Sequence, residues 1–353
     1  MALCIRPSLR LQGERSDWIG YCDSLMARLA LCSICSHDKS DGSDAGIPDL
    51  EILEVVADGG YGRVYQGFEP STGEIVAMKQ IVIIGSRQGV PSAIIREVAF
   101  LKELRHDNIV RLLRVYVRRH RYVNLVFERL PCDLHDYIRR RTHRNMLAIK
   151  SFMYQILSAL EFCHARQVLH RDLKPSNVLI DQASMLVKLA DFGLAREFRN
   201  DILYTDQLGT AAYRAPEMLC DNYQYSSPID VWAAGCVFAE MITGLPLFQN
   251  RKLRDELEAI FRLTGTPTEE TWPGITELMP DIHKYQGHEP VGIRTLFPEL
   301  ERSGQDLLSR MLCLNPNERI SASAALNHPY FTEEEWLWDG KPWEESARCI
   351  PFR

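Results

Sequence analysis

The run His170-Arg171-Asp172-Leu173-Lys174-Pro175-Ser176-Asn177 decides the fold of this chain, together with two shorter runs that follow it. These are Asp191-Phe192-Gly193 and Ala215-Pro216-Glu217. Each run alone is a modest signal, because short motifs of this kind recur by chance. The three in this order, within one short stretch of the chain, make a strong signal.

The polar residues of these runs favour a magnesium site. Asp172, Asn177 and Asp191 offer carboxylate and amide oxygens, which are hard ligands, and the motif residues include no thiolate for a softer metal. The alternative is that Asp172 and Asp191 are solvated loop carboxylates, the usual state of aspartate. The register of the three runs argues against that alternative.

The three runs are similar to the catalytic loop, the metal-binding turn and the end of the activation segment of eukaryotic protein kinases. The resemblance implies phosphoryl transfer from ATP, which needs positioning and cancellation of phosphate charge more than covalent help. By resemblance, Asp172 orients the substrate hydroxyl and accepts its proton, and Lys174 meets the γ-phosphate. Asn177 and Asp191 hold Mg²⁺, with Asp191 bridging the metal to the β- and γ-phosphates.

Composition is that of an ordinary soluble globular protein, with 46% apolar and 25% charged residues in 353. A net charge of −6 and a pI of about 6.0 argue against nucleic-acid binding as the main activity. The sequence has no apolar run near the roughly eighteen residues of a membrane span. Six of the ten cysteines are scattered singly after residue 130, which does not resemble a disulfide framework and favours a reducing compartment. We therefore expect a nuclear or cytoplasmic protein.

Two segments lie outside the expected catalytic region. Residues 1–48 are predicted to be a flexible N-terminal extension, with a short amphipathic helix at 18–31. Cys32 and Cys35 have zinc-like spacing, but they lack a second close pair, so free thiols are favoured. The acidic and aromatic tail, 333–353, packs against the body or docks a partner; the sequence leaves both open.

A glycine-rich hairpin is predicted after the first apolar run, Leu50–Val56. It resembles the kinase loop whose backbone N–H groups lie over the nucleotide phosphates. By resemblance, the nucleotide contacts come from Ala57, Gly59, Gly62 and Val64. Ala57 replaces the first glycine of the family pattern, and we expect it to lower nucleotide affinity somewhat without abolishing binding.

A strand around residues 76–79 places Ala77 and Lys79 on one face. A lysine in an apolar strand row is costly unless it is paired. The helix predicted to begin after Ser92, its expected N-cap, supplies Glu97 as the partner. By resemblance, Ala77 and Lys79 also bind the nucleotide, and Lys79 and Glu97 belong to the catalytic set.

The helix sequence Pro91-Ser92-Ala93-Ile94-Ile95-Arg96-Glu97 resembles the signature of the cyclin-dependent kinases. The resemblance spans residues 50 to about 332 and implies a serine/threonine kinase of Ser/Thr-Pro sites that often needs a cyclin. Helical spacing puts Ile94, Glu97, Leu101 and Leu104 on one face. Ile95 and Ala99 fall on another face, which is either solvent-facing or a docking surface, and we expect the cyclin-type partner to contact Ile95.

The apolar strand at 125–130 is expected to enter the hinge between the two lobes. By resemblance, Phe127 closes the back of the adenine pocket, and backbone groups of Glu128 and Leu130 hold the adenine edge. Asp133 stands where the family residue meets the ribose. A buried strand followed by a solvated aspartate is the alternative for this segment.

Regulation is predicted from the same resemblance. Thr205 aligns with the threonine that the family phosphorylates, and an activating kinase is therefore expected as a partner. Arg96, Arg171 and Arg196, each beside a catalytic motif, would receive its phosphate through charge-assisted hydrogen bonds. Tyr61 matches an inhibitory tyrosine site.

The residue after the phosphoacceptor is expected to meet Gly209 and Arg214. In the family, this arginine stabilises a backbone turn in which a carbonyl oxygen cannot accept a hydrogen bond from a substrate N–H. This arrangement favours proline, because proline has no N–H. Gly209 and Ala212, which belong to the same region, are smaller than the residues that the family usually has at these positions.

The resemblance predicts an α+β, bilobal protein kinase fold, with a β-rich small lobe at 49–130 and a mainly helical large lobe at 131–332. Asp230 is expected to hold the catalytic-loop backbone, and Arg319 to pair with Glu217.

Two alternatives are a pseudokinase that only binds partners and another kinase of the same wider group, such as a mitogen-activated kinase. The complete catalytic set disfavours the first; the lack of tyrosine two residues after Thr205 disfavours the second. Neither a nucleic acid nor a membrane is expected as a partner.

Overall fold

The structure is a computed structural model that describes residues 50–59, 62–83, 92–118, 122–140, 145–197, 210–220, 225–249, 253–285 and 287–332. The predictions for residues 1–48 and 333–353, including the Cys32 and Cys35 thiols and the helix at 18–31, lie outside these ranges.

The strands in these ranges are β1 (Glu51–Gly59), β2 (Gly62–Glu69), β3 (Glu74–Val82), β4 (Leu112–Arg118), β5 (Tyr122–Glu128), β6 (Cys132–Asp133), β7 (Val168–Leu169), β8 (Val178–Asp181), β9 (Leu186–Leu189) and β10 (Arg196–Glu197). The α-helices are α1 (Ser92–Glu103), α2 (Leu134–Arg140), α3 (Met146–His164), α4 (Pro228–Thr243), α5 (Leu253–Thr264), α6 (Ile275–Leu278), α7 (Ile293–Leu296), α8 (Arg302–Met311), α9 (Ala322–Leu326) and α10 (Pro329–Thr332). Short 3₁₀ turns span Pro175–Asn177, Phe192–Leu194, Ala211–Tyr213, Pro216–Leu219 and Pro280–Tyr285.

The small lobe is one antiparallel sheet in the order β1-β2-β3-β5-β4. One of its faces packs against α1, through Leu125 of the sheet and Ile94 and Val98 of the helix. The other face buries Met78 and Val126. Because both faces carry apolar residues, β3 and β5 read as nearly continuous apolar runs.

The large lobe is built around α3 and α4, which pack against each other and are buried along most of their length. Among the described helices, α3 has the length and apolar composition to cross a membrane, but most of it is buried, as in a core helix of a globular protein. The apolar stripe predicted for α3 is confirmed, since all its members are buried: Ile149, Phe152, Met153, Ile156, Leu157 and Leu160.

The sequence misplaced three features of α1. The helix already includes Ser92, the residue expected to cap it, and ends at Glu103, so Leu104 follows the helix although it is buried as predicted. Ala99 was assigned to an outer face, but it is buried with 4% exposure. The apolar face of α1 is therefore wider than a single stripe, because the helix contacts the 3₁₀ turn Phe192–Leu194 as well as the sheet.

The expected fold class is confirmed: a small lobe with an antiparallel sheet and one long helix, followed by a large, mainly helical lobe. The five-stranded sheet ends at Glu128, and the next strand, β6, already pairs with β8 of the large lobe. The chain therefore crosses from one lobe to the other just after β5.

Candidate active site

The loop after β7 is held by a buried carboxylate from α4. Asp230 accepts hydrogen bonds from the backbone N–H groups of His170 and Arg171, both at 2.9 Å, and its Oδ2 lies 2.9 Å from Nε2 of His164. Burial would raise the pKa of Asp230, but the hydrogen bond and charge of His164 hold it below its ordinary value. Arg171 adopts φ 67°, a left-handed conformation that is costly for a non-glycine residue. Asp230 thus has the structural role expected of it, stabilising this strained backbone.

Asp172 lies at the end of this loop with both carboxylate oxygens engaged. Its Oδ1 accepts from the backbone N–H and the hydroxyl of Thr210, both at 3.0 Å. Its Oδ2 accepts from Nζ of Lys174 at 2.7 Å and from the side-chain amide of Asn177 at 3.2 Å. The Lys174 ammonium also donates to the Thr210 hydroxyl at 3.0 Å. These contacts fix the direction of a carboxylate that is only 6% exposed.

Thr210 was missed by the sequence reasoning, although it contacts both Asp172 and Lys174. It lies 38 residues after Asp172, and a single threonine in a loop gives no periodic or spacing signal. The only available hint was its position just before the Ala211–Tyr213 turn, next to the expected substrate pocket.

The pair predicted between the lysine strand and α1 is present. Nζ of Lys79 lies 3.0 Å from Oε1 of Glu97 and 2.8 Å from Oδ1 of Asp191. Burial lowers the pKa of Lys79, but the two carboxylates more than offset it, so the pKa lies above its ordinary value. Burial raises the pKa of Glu97, whereas the charge of Lys79 holds the pKa of Asp191 low despite burial. Lys79 therefore stays charged and links sheet, helix and metal-binding turn.

The turn that carries Asp191 is tightly packed. Asp191 has φ 60°, and the Phe192 ring is buried against His170, with ring centroids 4.9 Å apart. A Cβ atom at Gly193 would lie 3.2 Å from Oδ1 of Asp191 and 3.6 Å from Nζ of Lys79. Glycine therefore leaves room around the Asp191 carboxylate for a ligand.

Asn177 and Asp191 could hold a metal ion. The side-chain amide nitrogen of Asn177 donates to the backbone oxygen of Asp172 at 2.8 Å, so its oxygen is the atom left to bind a cation. Within the described ranges, the structure has no group of three or more His, Cys, Asp or Glu residues suited to a metal. One carboxylate and one amide oxygen are a poor cage for zinc, but they suit Mg²⁺, which keeps several waters and takes further oxygens from phosphates.

The residues expected to contact the nucleotide lie on one face of the small-lobe sheet. Val64 is paired with Lys79, and Ala77 is paired with Phe127, so these side chains point to the same side as the Lys79 ammonium. Ala57 pairs with Val64 in the hairpin, which puts it on this face too.

Gly62 closes the described part of the hairpin opposite Gly59. It has φ 124°, and a Cβ there would lie 2.3 Å from the Gln80 carbonyl oxygen, so the position requires glycine. In the large lobe, Leu179 and Ala190 are half-buried and pack against the hydrophobic core. Leu179 pairs with Asp133, and Ala190 precedes Asp191; neither apolar residue stands out in the sequence.

The hinge residues are fixed by local contacts. The Glu128 N–H donates to the Arg111 carbonyl at 3.2 Å, and the Glu128 carboxylate lies 2.9 Å from Nζ of Lys188. The Glu128 N–H is therefore engaged within the small lobe. Leu130 is half-buried. Asp133 accepts from the backbone N–H of Asp136 at 2.8 Å, so it caps α2.

The structure tests the regulatory residues only in part. Thr205, Gly209 and Tyr61 lie outside the described residues, and so do the side chains of Arg96 and Arg196. Arg171 is 6% exposed, and its guanidinium donates to the Leu194 carbonyl at 2.6 Å and to the Tyr225 hydroxyl at 3.2 Å. The Arg171 guanidinium is therefore held by hydrogen bonds in the protein without a phosphate on Thr205. Ile95 of α1 is half-buried, and Arg214 lines a shallow depression beside Asp172.

The end of the predicted activation segment is tied to the large lobe by a buried ion pair. Arg319 donates to Glu217 through two nitrogens, at 2.6 and 2.9 Å, and both side chains are almost fully buried. The pair expected from the sequence is therefore present. Such a two-point contact has a fixed geometry and strongly couples the segment to the helices behind it.

The three predicted motifs come together in the structure: Lys79 of the sheet contacts Asp191, and the Ala190 N–H beside it donates to the carbonyl of Asn177, whose side chain contacts Asp172. A family model, the protein kinase domain, matches residues 50–331. The match covers most of the chain, and the chain belongs to the protein kinase domain family. Members of this family are phosphotransferases that use ATP and a divalent metal.

Proposed function

We propose that this protein is a serine/threonine protein kinase of the cyclin-dependent type, which uses ATP with Mg²⁺ and prefers Ser/Thr-Pro sites. The observation that carries the proposal is the arrangement at Asp172, whose two oxygens are held by Thr210 and Lys174. A carboxylate oriented in this way can accept a proton from a hydroxyl, and a nearby ammonium can cancel phosphate charge.

Each residue of the cleft has a defined task in this proposal. Lys79, held by Glu97, binds the phosphates of the nucleotide. Asn177 and Asp191 hold Mg²⁺, which supplies charge neutralisation for the phosphates when bound. Asp172 orients the substrate hydroxyl and accepts its proton, and Lys174 approaches the transferred group from the substrate side.

Lys79 also contacts Asp191 directly in the structure, at 2.8 Å. Nucleotide phosphates and metal would take over part of that contact, because both compete for the same two charges. The low pKa of Asp191 keeps its carboxylate ionised for this exchange at neutral pH.

Cyclin dependence and activation at Thr205 are supported by the helix signature and the position of Ile95. A phosphate on Thr205 would add about −1.5 to −2 charge near Arg96, Arg171 and Arg196. We expect Thr205→Ala to lose most activity and Thr205→Glu to restore part of it. Full activity of Thr205→Ala would contradict this part of the proposal.

A kinase of the same group that needs no cyclin is the second candidate. Its support is the contact between Lys79 and Glu97, which is already made within a single chain. Stimulation of the pure protein by candidate cyclins distinguishes the two candidates.

The deciding experiment is a peptide-library phosphorylation assay with serine, threonine or tyrosine as the acceptor and proline or alanine after it. We expect transfer to Ser-Pro and Thr-Pro peptides, and a loss of about 100- to 10,000-fold in Asp172→Asn. Asp172→Asn should still fold, because the amide retains the size of the carboxylate, but with a lower melting temperature, because its NH2 group replaces an oxygen that accepts two hydrogen bonds. Equal rates on Pro and Ala peptides would refute proline preference, and near-normal turnover by Asp172→Asn would refute the assignment of the base.

A further inference from the structure

The exposed apolar side chains of this protein are concentrated on one edge strand. Among the described residues, ten large apolar side chains are exposed. Four of them lie on β1 and are from 47% to 58% exposed: Ile52, Leu53, Val55 and Val56. Strand β1 is also an edge of the five-stranded sheet. Proteins normally protect such an edge with charged side chains or cover it with another element, so an apolar edge marks a site of contact.

Two of these residues, Ile52 and Val55, face away from the expected nucleotide site. Val55 is paired with Tyr65, and Tyr65 is paired with Met78, which is buried on the outer face of the sheet. Ile52 is paired with the β2 residue two positions after Tyr65, so it points to the same side as Val55. Because Met78 alternates with Lys79 along β3, this side is opposite the Lys79 ammonium. We call Ile52, Val55 and Tyr65 the outer β1 surface.

The chain reaches β1 across this same face. Leu50, the first described residue, packs against the cluster that includes Met78. A Cβ atom at Gly67 would lie 3.0 Å from the Leu50 side chain, so Gly67 gives the room that this contact requires. Residues 1–49, which lie outside the described ranges, therefore join the small lobe beside the outer β1 surface.

The sequence of residues 1–49 supplies a matching apolar stripe. Helical spacing over 18–31 puts four large side chains on one side: Trp18, Tyr21, Leu25 and Leu29. Arg28, beside this stripe, is the only cation in 18–31, and β1 carries two exposed acids, Glu51 and Glu54. The segment 18–31 therefore matches β1 in apolar character first and in charge second.

The connection between this segment and β1 has a suitable length. Residues 32–49 are rich in serine, aspartate and glycine, and a flexible linker of this length spans about 21–25 Å on average. The nine residues of β1 extend over about 30 Å. The segment can thus reach the outer β1 surface of its own chain, at an effective concentration on the order of 1 mM. A contact with a dissociation constant of about 0.1 mM is then formed about 90% of the time.

We propose that residues 18–31 dock on the outer β1 surface of the same chain through the stripe that begins at Trp18 and ends at Leu29. The tether favours this occupant over a second copy or a separate protein, because its effective concentration does not fall on dilution. The inference goes beyond the proposed function and does not depend on it. The outer β1 surface lies opposite the face expected to bind the nucleotide, so docking leaves that face free.

The test is hydrogen–deuterium exchange of the full chain, with mass spectrometry of peptides from residues 18–31. A segment that is docked about 90% of the time exchanges about tenfold more slowly than an unstructured chain of the same sequence. Val55→Glu places a charge in the apolar contact and should weaken it about tenfold. The docked fraction then falls to about half, and exchange in 18–31 becomes about fivefold faster.

Ile75→Glu is the matched control. Ile75 is 42% exposed on β3 of the same sheet, but its position three residues before Met78 puts it on the other face. Exchange in 18–31 should therefore stay at the wild-type rate in Ile75→Glu. Leu25→Glu changes the stripe itself and should accelerate exchange as much as Val55→Glu does.

Three results would overturn the proposal. The first is exchange in wild-type 18–31 at the rate of an unstructured chain. The second is protection that Val55→Glu leaves unchanged, or that Ile75→Glu removes equally. The third is protection that disappears on dilution, which would identify a second copy as the occupant. If Val55→Glu does not fold, Val55→Ser takes its place, and unchanged protection in that variant would refute the contact.

Discussion

At the scale of single residues, the carboxylate that we propose as the catalytic base, Asp172, is oriented by its hydrogen-bond partners. Asp172 is oriented from one side by Lys174 and from the other by Thr210. The Thr210 hydroxyl donates to the carboxylate and accepts from the ammonium, so it joins two groups that must act together.

We therefore predict that Thr210→Val lowers kcat by about 10- to 100-fold, since a hydrogen bond to a charged group contributes about 1.5–3 kcal/mol. The KM for ATP should stay near its wild-type value, because the side-chain hydrogen bonds of Thr210 are to Asp172 and Lys174 and not to the residues expected to contact the nucleotide. Thr210→Ser keeps the hydroxyl and is the control. A Thr210→Val enzyme with wild-type kcat would show that the backbone N–H alone is enough to orient Asp172.

Residue-level prediction from sequence succeeded where a motif or a cost argument applied. Lys79 in an apolar strand required a carboxylate, and Glu97 provides it at 3.0 Å. It failed for Thr210, because Thr210 acts through contacts with residues distant in sequence. It also gives no local pattern that distinguishes the buried Glu256 on α5 from the half-buried Glu258 two positions later.

At the scale of elements, α1 links the two halves of the site. It packs on the sheet through Ile94 and Val98 and on the metal-binding turn that follows Asp191. Sequence periodicity located the helix and its inner face, but it placed Ala99 outside because a helix that meets two surfaces buries more than one stripe. Ile95 keeps part of its surface exposed, as a partner contact requires.

We predict that Ile95→Glu reduces stimulation by an activating cyclin at least tenfold, because a charge in the centre of an apolar contact is costly. Activity without cyclin should be unchanged, since Ile95 does not reach the cleft. Ile52→Glu is the matched control, because Ile52 is 47% exposed on β1 of the same lobe. A pure single chain that is fully active and indifferent to Ile95→Glu would instead support the cyclin-independent candidate.

At the scale of the whole molecule, buried charges hold the large lobe together and position its surface. Asp230 holds the backbone of the loop after β7, and the pair of Glu217 with Arg319 anchors the 3₁₀ turn Pro216–Leu219. These pairs were predictable from the resemblance because they belong to its motifs. Glu256 of α5 is different: it is buried, and among the residues that the structure describes its Oε1 has no hydrogen-bond partner, so ionisation is unfavourable in the folded state.

This difference gives stability a measurable pH dependence. The pKa of Glu256 is about 7 in the folded protein, above its ordinary value, so between these two values the folded state binds more protons than the unfolded state. The contribution of Glu256 to the free energy of unfolding therefore falls as pH rises through this window and levels off above pH 7. Glu256→Gln cannot ionise, and we expect its stability relative to wild type to be greater at pH 8 than at pH 5 by about 1–3 kcal/mol. Urea unfolding at both pH values, with Glu258→Gln as the control, measures the difference; an equal offset at both would mean that folding does not raise the pKa of Glu256.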